Sequence, residues 1–234
     1  MTGSDYAKDI VILFDLDQTL VDAIKIYDKA FGLVFWEVYG VDCSLYEIDF
    51  AGKSTPEVFW AGCKIKGVLR EEYVEKLPGA TKAVSEAFVK FASRPGAKIR
   101  VLAGAEALLG LLSKRKVLMG VVTGSPITAA IAILKKSSLE KYFAFVFGGD
   151  KAESKEELAS AALKRAGEIL GKTPRTAVIV GDSVREAEVA KALGLRFVGV
   201  ATGNNTKEEL EAEGFGKAFA DLRNTRKVLR EILG

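Results

Sequence analysis

The 234-residue chain contains no histidine. That absence removes the commonest side-chain general base, and with it every Ser/His/Asp and Cys/His nucleophile system and any histidine-ligated zinc. Acid and base work must fall to carboxylates, lysines, tyrosines or cysteines. Cysteine is scarce too: Cys43 and Cys63 are the two in the chain. Twenty residues apart, they suggest neither a disulfide framework nor a zinc knuckle, and they fit a reduced cytoplasmic setting. No stretch reaches the roughly 18 uncharged apolar residues of a membrane span. The opening MTGSDYAKD lacks a basic leader followed by a long apolar segment, so a soluble, unprocessed protein with no membrane partner is expected. Thirty-four Lys and Arg offset 31 Asp and Glu, leaving a net charge of +3 with no basic block. Nucleic acid is not an expected partner.

What is present is a globular composition, with 49% hydrophobic and 28% charged residues. Its length suits one core, or a core with a smaller insert. Apolar runs of strand length recur at IVILF (10–14), VLMGVV (117–122), FAFVFG (143–148), TAVIV (176–180) and RFVGV (196–200). They are nearly continuous rather than alternating, as strands covered on both faces read. Helical patterns separate most of them. The expected class is α/β, with a Rossmann-like parallel sheet and helices on both faces.

Between the first run and the second, about a hundred residues contain no convincing strand. Ile24, Tyr27, Phe31, Val34, Phe35 and Val38 share one face of a helix that Gly40 should stop. Ser54 and Glu57 have capping-box spacing, Pro56 follows in the first turn, and Gly67 should close that helix. Two more helical segments are predicted at 70–77 and 80–92, before a break at Arg94-Pro95-Gly96. Residues 21–99 therefore read as a helical insert, and residues 1–20 with 100–234 as the core. The aromatic stretch FGLVFWEVY reads as the interior of the insert.

The first strand runs straight into Asp15 and Asp17. Ligands of open parallel sheets bind at the carboxyl ends of strands, and two carboxylates two residues apart in extended chain face one way, which suits a hard cation such as magnesium. An ordinary polar turn is the competing reading. In VVTGSP (121–126), Thr123 and Gly124 end a strand, and Ser125 and Pro126 read as cap and first helical residue, with amides free for an anion. Lys155 falls in the first turn of a helix capped by Ser154, where positive charge is disfavoured by about 0.3–1 kcal/mol unless an anion lies nearby. In GDSVREAE (181–188), Gly181 permits close backbone approach, Asp182 is a further strand-end acid, and Glu186 lies one turn on. Each feature alone has a bland reading. Together, at one end of one sheet, they describe a magnesium phosphate site.

The order DLDQT (15–19), VVTGS (121–125), SK (154–155) and GDSVREAE resembles the four motifs of the haloacid dehalogenase superfamily, with a helical cap inserted after the first. Within it, the chain is most similar to phosphoglycolate-phosphatase-like hydrolases, partly through VLAGAEALLGLLSKRKVLMGVVTGS. The resemblance implies a magnesium-dependent phosphomonoesterase acting on a small phosphorylated metabolite, phosphoglycolate-like or a sugar phosphate, through an aspartyl-phosphate. It implies Asp15 as nucleophile, Asp17 as acid and base, Thr123 and Gly124 as phosphoryl contacts, and Lys155 as the charge that orients Asp15. Metal would sit on Asp15, the Asp17 carbonyl and Asp182. The family commonly has Asp where Glu186 stands, so direct metal contact and a water-mediated or outer role are both open there. The loop AGKSTPE (51–57) is similar to a specificity loop and makes Lys53 a candidate contact for an anionic leaving group; an exposed lysine on a cap turn is the alternative. A phosphomutase of the same superfamily competes with the hydrolase reading. A phospho-acceptor signalling module fits less well, because its acceptor would follow the third strand. Monomer and homodimer are both compatible with the sequence.

Overall fold

In a computed structural model, residues 10–150, 152, 154–212 and 216–234 are described. The opening segment, on which the expectation of an unprocessed protein falls, lies outside them. Strand β1 (Ile10–Phe14) has both faces covered, because Val11 and Leu13 enter one apolar cluster and Ile12 and Phe14 another. That two-sided burial is why its sequence is continuous rather than alternating. Strands β4 (Leu118–Thr123), β5 (Phe145–Gly148), β6 (Thr176–Gly181) and β7 (Arg196–Val200) join it, with β8 (Ala218–Phe219) at the edge. The order is β5-β4-β1-β6-β7-β8 and every pairing is parallel. β1 is central, so its carboxyl end opens at the middle of the sheet.

Helices cover both sides. α4 (Ala105–Lys114), α5 (Ile127–Lys136) and α9 (Thr225–Leu233) place Leu108, Leu109, Ile133, Leu134, Val228 and Ile232 in the cluster holding Ile12 and Phe14. α6 (Lys155–Leu170), α7 (Val184–Ala192) and α8 (Lys207–Ala212) add Leu158, Ala162, Ala187, Ala190 and Leu210 to the other. No described helix is long and apolar enough to cross a membrane.

The stretch after β1 contains α1 (Ile24–Tyr39), α2 (Thr55–Ile65) and α3 (Arg70–Ala92). α1 stops at Gly40, as predicted, in a left-handed conformation whose N–H donates to the Trp36 carbonyl. The Ser54–Glu57 spacing also forms its cap: the Ser54 N–H and hydroxyl both donate to Glu57 Oε2, at 2.8 and 2.9 Å. Three expectations need correction. The stretch read as strandless contains two short strands, β2 (Val21–Asp22) and β3 (Arg100–Val101), which pair antiparallel where the chain leaves and re-enters the core. A sixth sheet strand, β8, was not foreseen. Two-residue strands carry no periodicity from which to read them. The predicted helices at 70–77 and 80–92 are one helix that runs through Pro78. Proline costs an interior helix about 3 kcal/mol. Burial of Tyr73, Ala80, Val84, Ala87 and Phe88 on both sides of it holds the helix together.

Inside this unit the aromatic rings form one packed group. Phe59 lies 4.9 Å from Phe31, 5.3 Å from Phe35 and 5.9 Å from Tyr39, centroid to centroid. In FGLVFWEVY, Phe31, Val34, Phe35 and Tyr39 are interior as read, whereas Trp36, 65% exposed, and Glu37 face outward. The group is continuous with the apolar cluster under the sheet, so the helices rest on the core through shared packing. Phe59→Ala should destabilise the protein by about 3–5 kcal/mol in urea unfolding. An unchanged midpoint would mean that the ring cluster contributes little.

Candidate active site

Sheet pairing continues one residue beyond β1, where the Asp15 N–H donates to the Val180 carbonyl at 2.9 Å. This holds Asp15 at the carboxyl end of the central strand. One of its oxygens meets Lys155 Nζ at 2.5 Å, and the same ammonium reaches Glu186 Oε1 at 2.7 Å. Lys155 opens α6, whose N-cap Ser154 accepts the Glu157 N–H at 3.2 Å. The unfavourable position of this lysine on its own helix is thus offset by two carboxylates from other elements. Glu186 is fixed at the start of α7, where Oε2 accepts the Ser183 N–H at 3.1 Å. Gly181 is required beside it, since a Cβ there would lie 2.0 Å from that oxygen. Asp182 accepts the fully buried Thr19 hydroxyl at 3.0 Å.

Thr123 ends β4, and its hydroxyl oxygen accepts the Ser125 N–H at 3.3 Å, which leaves its proton to donate elsewhere. Gly124 follows in tight contact with the helical insert. A Cβ on it would lie 1.9 Å from the Lys53 carbonyl, and its own carbonyl accepts the Thr55 hydroxyl at 2.9 Å. The expectation for Ser125 is corrected: Pro126 is the N-cap of α5, the Ile127 N–H donates to Asp150, and the Ser125 hydroxyl donates to Asp17 Oδ2 at 3.3 Å. Because Asp150 accepts the Ile127 amide, the Ser125 hydroxyl is left for the site.

Asp15, Asp17, Lys53, Thr123, Gly124, Lys155 and Asp182 line one cavity of about 80 Å³. Glu186, 2% exposed, is set behind Lys155 and does not line it. Lys53 pairs with the exposed Asp49 at 2.7 Å. Ile24, Tyr27, Phe31 and Val58 from the insert form an apolar wall. Three residues went unassigned in the sequence. Thr19 sits within DLDQT, Ser125 read as a helix cap, and Tyr27 read as one of an apolar stripe. Only the first had a local signal, its place in the motif.

Burial dominates the electrostatics. It drives Asp15 well above the ordinary carboxylate range, with Lys155 pulling down and Glu186 pushing up. Burial opposes the charge on Lys155, yet Asp15 and Glu186 outweigh it and hold the ammonium above its usual value. Asp17 is pushed up to about 7 by burial, with Ser125, Tyr27 and the Ala23 backbone pulling the other way. Asp182 is raised by burial and by the Glu186 charge. Asp15, Asp182 and Glu186 offer oxygens all within 4.8 Å of one another, and Lys155 supplies the one cation bonded to this trio among the described residues. An excess of buried negative charge on hard oxygen donors fits a magnesium ion.

A family model described as haloacid dehalogenase-like hydrolase matches residues 12–200. The phosphoglycolate phosphatase of Pseudomonas putida is 25% identical over 213 residues, spanning 91% of this chain and 77% of that protein. That of Salmonella paratyphi A is 34% identical over 117 residues, 49% of this chain and 46% of its own length. The chain thus matches less than half the length of the second relative. Among solved structures, a hydrolase from Pseudomonas syringae superposes with a TM-score of 0.73 at 20% identity, over 95% of this chain and 98% of that one. A beta-phosphoglucomutase from Clostridium difficile does so at 0.72 and 16%, over 95% and 98%. At these identities the likeness to solved structures concerns the fold.

Raised carboxylate values carry a sign. A group whose folded pKa lies above its unfolded value of about 4 favours the fold below that value and loses the contribution as pH rises through the folded one. In chelator-treated protein, the melting temperature should therefore fall as pH rises from 5 to 9. Asp17, pushed up to about 7, should account for part of the slope. Asp17→Asn should flatten the profile in differential scanning calorimetry, and a slope identical to wild type would show that Asp17 ionises freely in the fold.

Proposed function

The chain belongs to the haloacid dehalogenase-like hydrolase family and is a phosphatase; on that premise we propose that it hydrolyses a small phosphomonoester through an aspartyl-phosphate on Asp15. The observation that supports this best is the convergence of Asp15 and Asp17 on one small cavity with Lys155 and Thr123. An Asp15 oxygen attacks phosphorus as the ester P–O bond breaks, which splits one difficult hydrolysis into two transfers. Asp17 gives its proton to the leaving alkoxide, then takes one from the water that releases phosphate. A value of about 7 suits both duties. The Thr123 hydroxyl and the Gly124 N–H hold phosphoryl oxygens, and Lys155 keeps Asp15 oriented while neutralising charge.

Asp15, Asp182 and the Asp17 carbonyl would hold magnesium. Such an ion supplies positive charge that offsets repulsion between nucleophile and substrate and stabilises charge in the transition state. Glu186 is assigned to holding Lys155, since one of its oxygens is on that ammonium and the other on the Ser183 amide. Residues 21–99 act as the cap and residues 1–20 with 100–234 as the catalytic core. The cap excludes water and reads the leaving group. Lys53 is the contact for a leaving-group carboxylate, as in a phosphoglycolate-like substrate. Its partner Asp49 is 81% exposed at the side chain, and such a pair is worth only about 0–1 kcal/mol, so a substrate carboxylate can displace it. Two buried free cysteines suit the proposed cytoplasmic setting.

Phosphate release from a panel of phosphomonoesters, with and without magnesium, tests the reading. Asp15→Asn should lower kcat by roughly 10³-fold or more with the fold intact. Wild-type turnover in that variant would refute Asp15 as nucleophile. Lys53→Ala should raise KM for carboxylated substrates and leave it unchanged for others; an equal rise for all would remove Lys53 from substrate recognition. Isomerised sugar phosphate in place of free phosphate would identify a mutase.

A further inference from the structure

Tyr27, 4% exposed, stands in the first turn of α1 and lines the cavity with Asp15, Asp17 and Ser125. Its ring packs 4.3 Å from Phe88 and 6.5 Å from Phe31. Phenylalanine would satisfy that packing equally well. It would also avoid the cost of burying an unpaired hydroxyl. Among the described residues, the Tyr27 hydroxyl is fully buried with no aligned hydrogen bond, and so is Asp17 Oδ1. The hydroxyl nevertheless lies against Asp17 and Ser125. Among the described residues the one aligned side-chain bond to Asp17 is the long one from Ser125, at 3.3 Å, with the Ala23 backbone also close. A proton donor with so long a side-chain bond and an unpaired second oxygen has a poorly fixed direction.

We propose that Tyr27 is a positioning residue for Asp17: with substrate in the cavity, its hydroxyl donates to Asp17 Oδ2 beside Ser125 and leaves Oδ1 to carry the proton toward the leaving-group oxygen. The inference rests on the phosphatase reading above. Tyr27 belongs to the helical insert and Asp17 to the core, so this bond forms only when the two are seated together. The seating of the insert then sets the aim of the acid, and substrate enclosure is linked to proton transfer.

Tyr27→Phe removes the hydroxyl and keeps the ring. The measurement is kcat/KM for alkyl phosphomonoesters of rising leaving-group pKa and for p-nitrophenyl phosphate, whose leaving group departs without a proton. This ratio covers only the steps up to leaving-group departure, so the later hydrolysis of the aspartyl-phosphate does not mask the effect. The expected result is a loss of about tenfold or more for the alkyl esters, with the aryl ester within about twofold of wild type and a melting temperature equal to wild type or higher. A uniform loss across leaving groups would mark a structural role and overturn the inference. So would no loss for the alkyl esters, or a loss that follows the substrate's other substituents instead of its leaving-group pKa. Wild-type protein releasing phosphate from none of them would overturn the phosphatase reading, and this inference with it.

Discussion

Lys155 carries an ammonium group into the protein at 7% exposure, and an unpaired charge there would cost several kcal/mol. Asp15 and Glu186 meet that cost, and their positions follow from it. One comes from the end of the central strand, the other from the first turn of α7, and the lysine from the first turn of α6. A single cation thus ties three elements together at the carboxyl edge of the sheet. With one Asp15 oxygen on the lysine, the carboxylate cannot rotate freely, and its other oxygen has a fixed direction. Glu186 is held in turn by the Ser183 amide, so the chain of restraint ends on backbone and not on another mobile side chain.

The remaining carboxylates are governed by what covers them. The helical insert meets the core through the Thr55 hydroxyl on the Gly124 carbonyl, through Arg185 and Glu57 at 2.9 Å, and through Gly52, where a Cβ would collide with Ser183 and Arg185. Beneath the insert, Asp15 and Asp182 are buried and Asp17 is half-buried. Desolvation is the largest influence on all three and raises each above the normal carboxylate range. The insert in this sense helps set the protonation of the carboxylates at the sheet edge.

The sheet was readable because its five longer strands are covered on both faces and therefore spelled as unbroken apolar runs. Asp15, Thr123, Lys155 and Asp182 were readable because each lies next to a strand end or helix start with its own local spelling. β2, β3 and β8 were not, since two residues show no period. The helices expected at 70–77 and 80–92 are one, because the buried residues on either side of Pro78 override the local rule. Ser125 and Tyr27 were legible only in their bland senses, a helix cap and a member of an apolar stripe.

Asp17 illustrates the division. Its presence two residues after Asp15 is written in the chain, and so is the chemistry that a carboxylate can perform there. Its elevation to about 7 is not, because that depends on α1 and the β4–α5 turn closing over it from far along the sequence. Likewise, the sequence by itself determined the α/β class, the order of the motifs and the inventory of acids and lysines, all set by residue type and short-range spacing. Tertiary structure alone decided which carboxylate holds the lysine, which face the cavity, and that the Tyr27 hydroxyl stands beside Asp17. Those outcomes depend on distance and desolvation between segments that no local pattern connects.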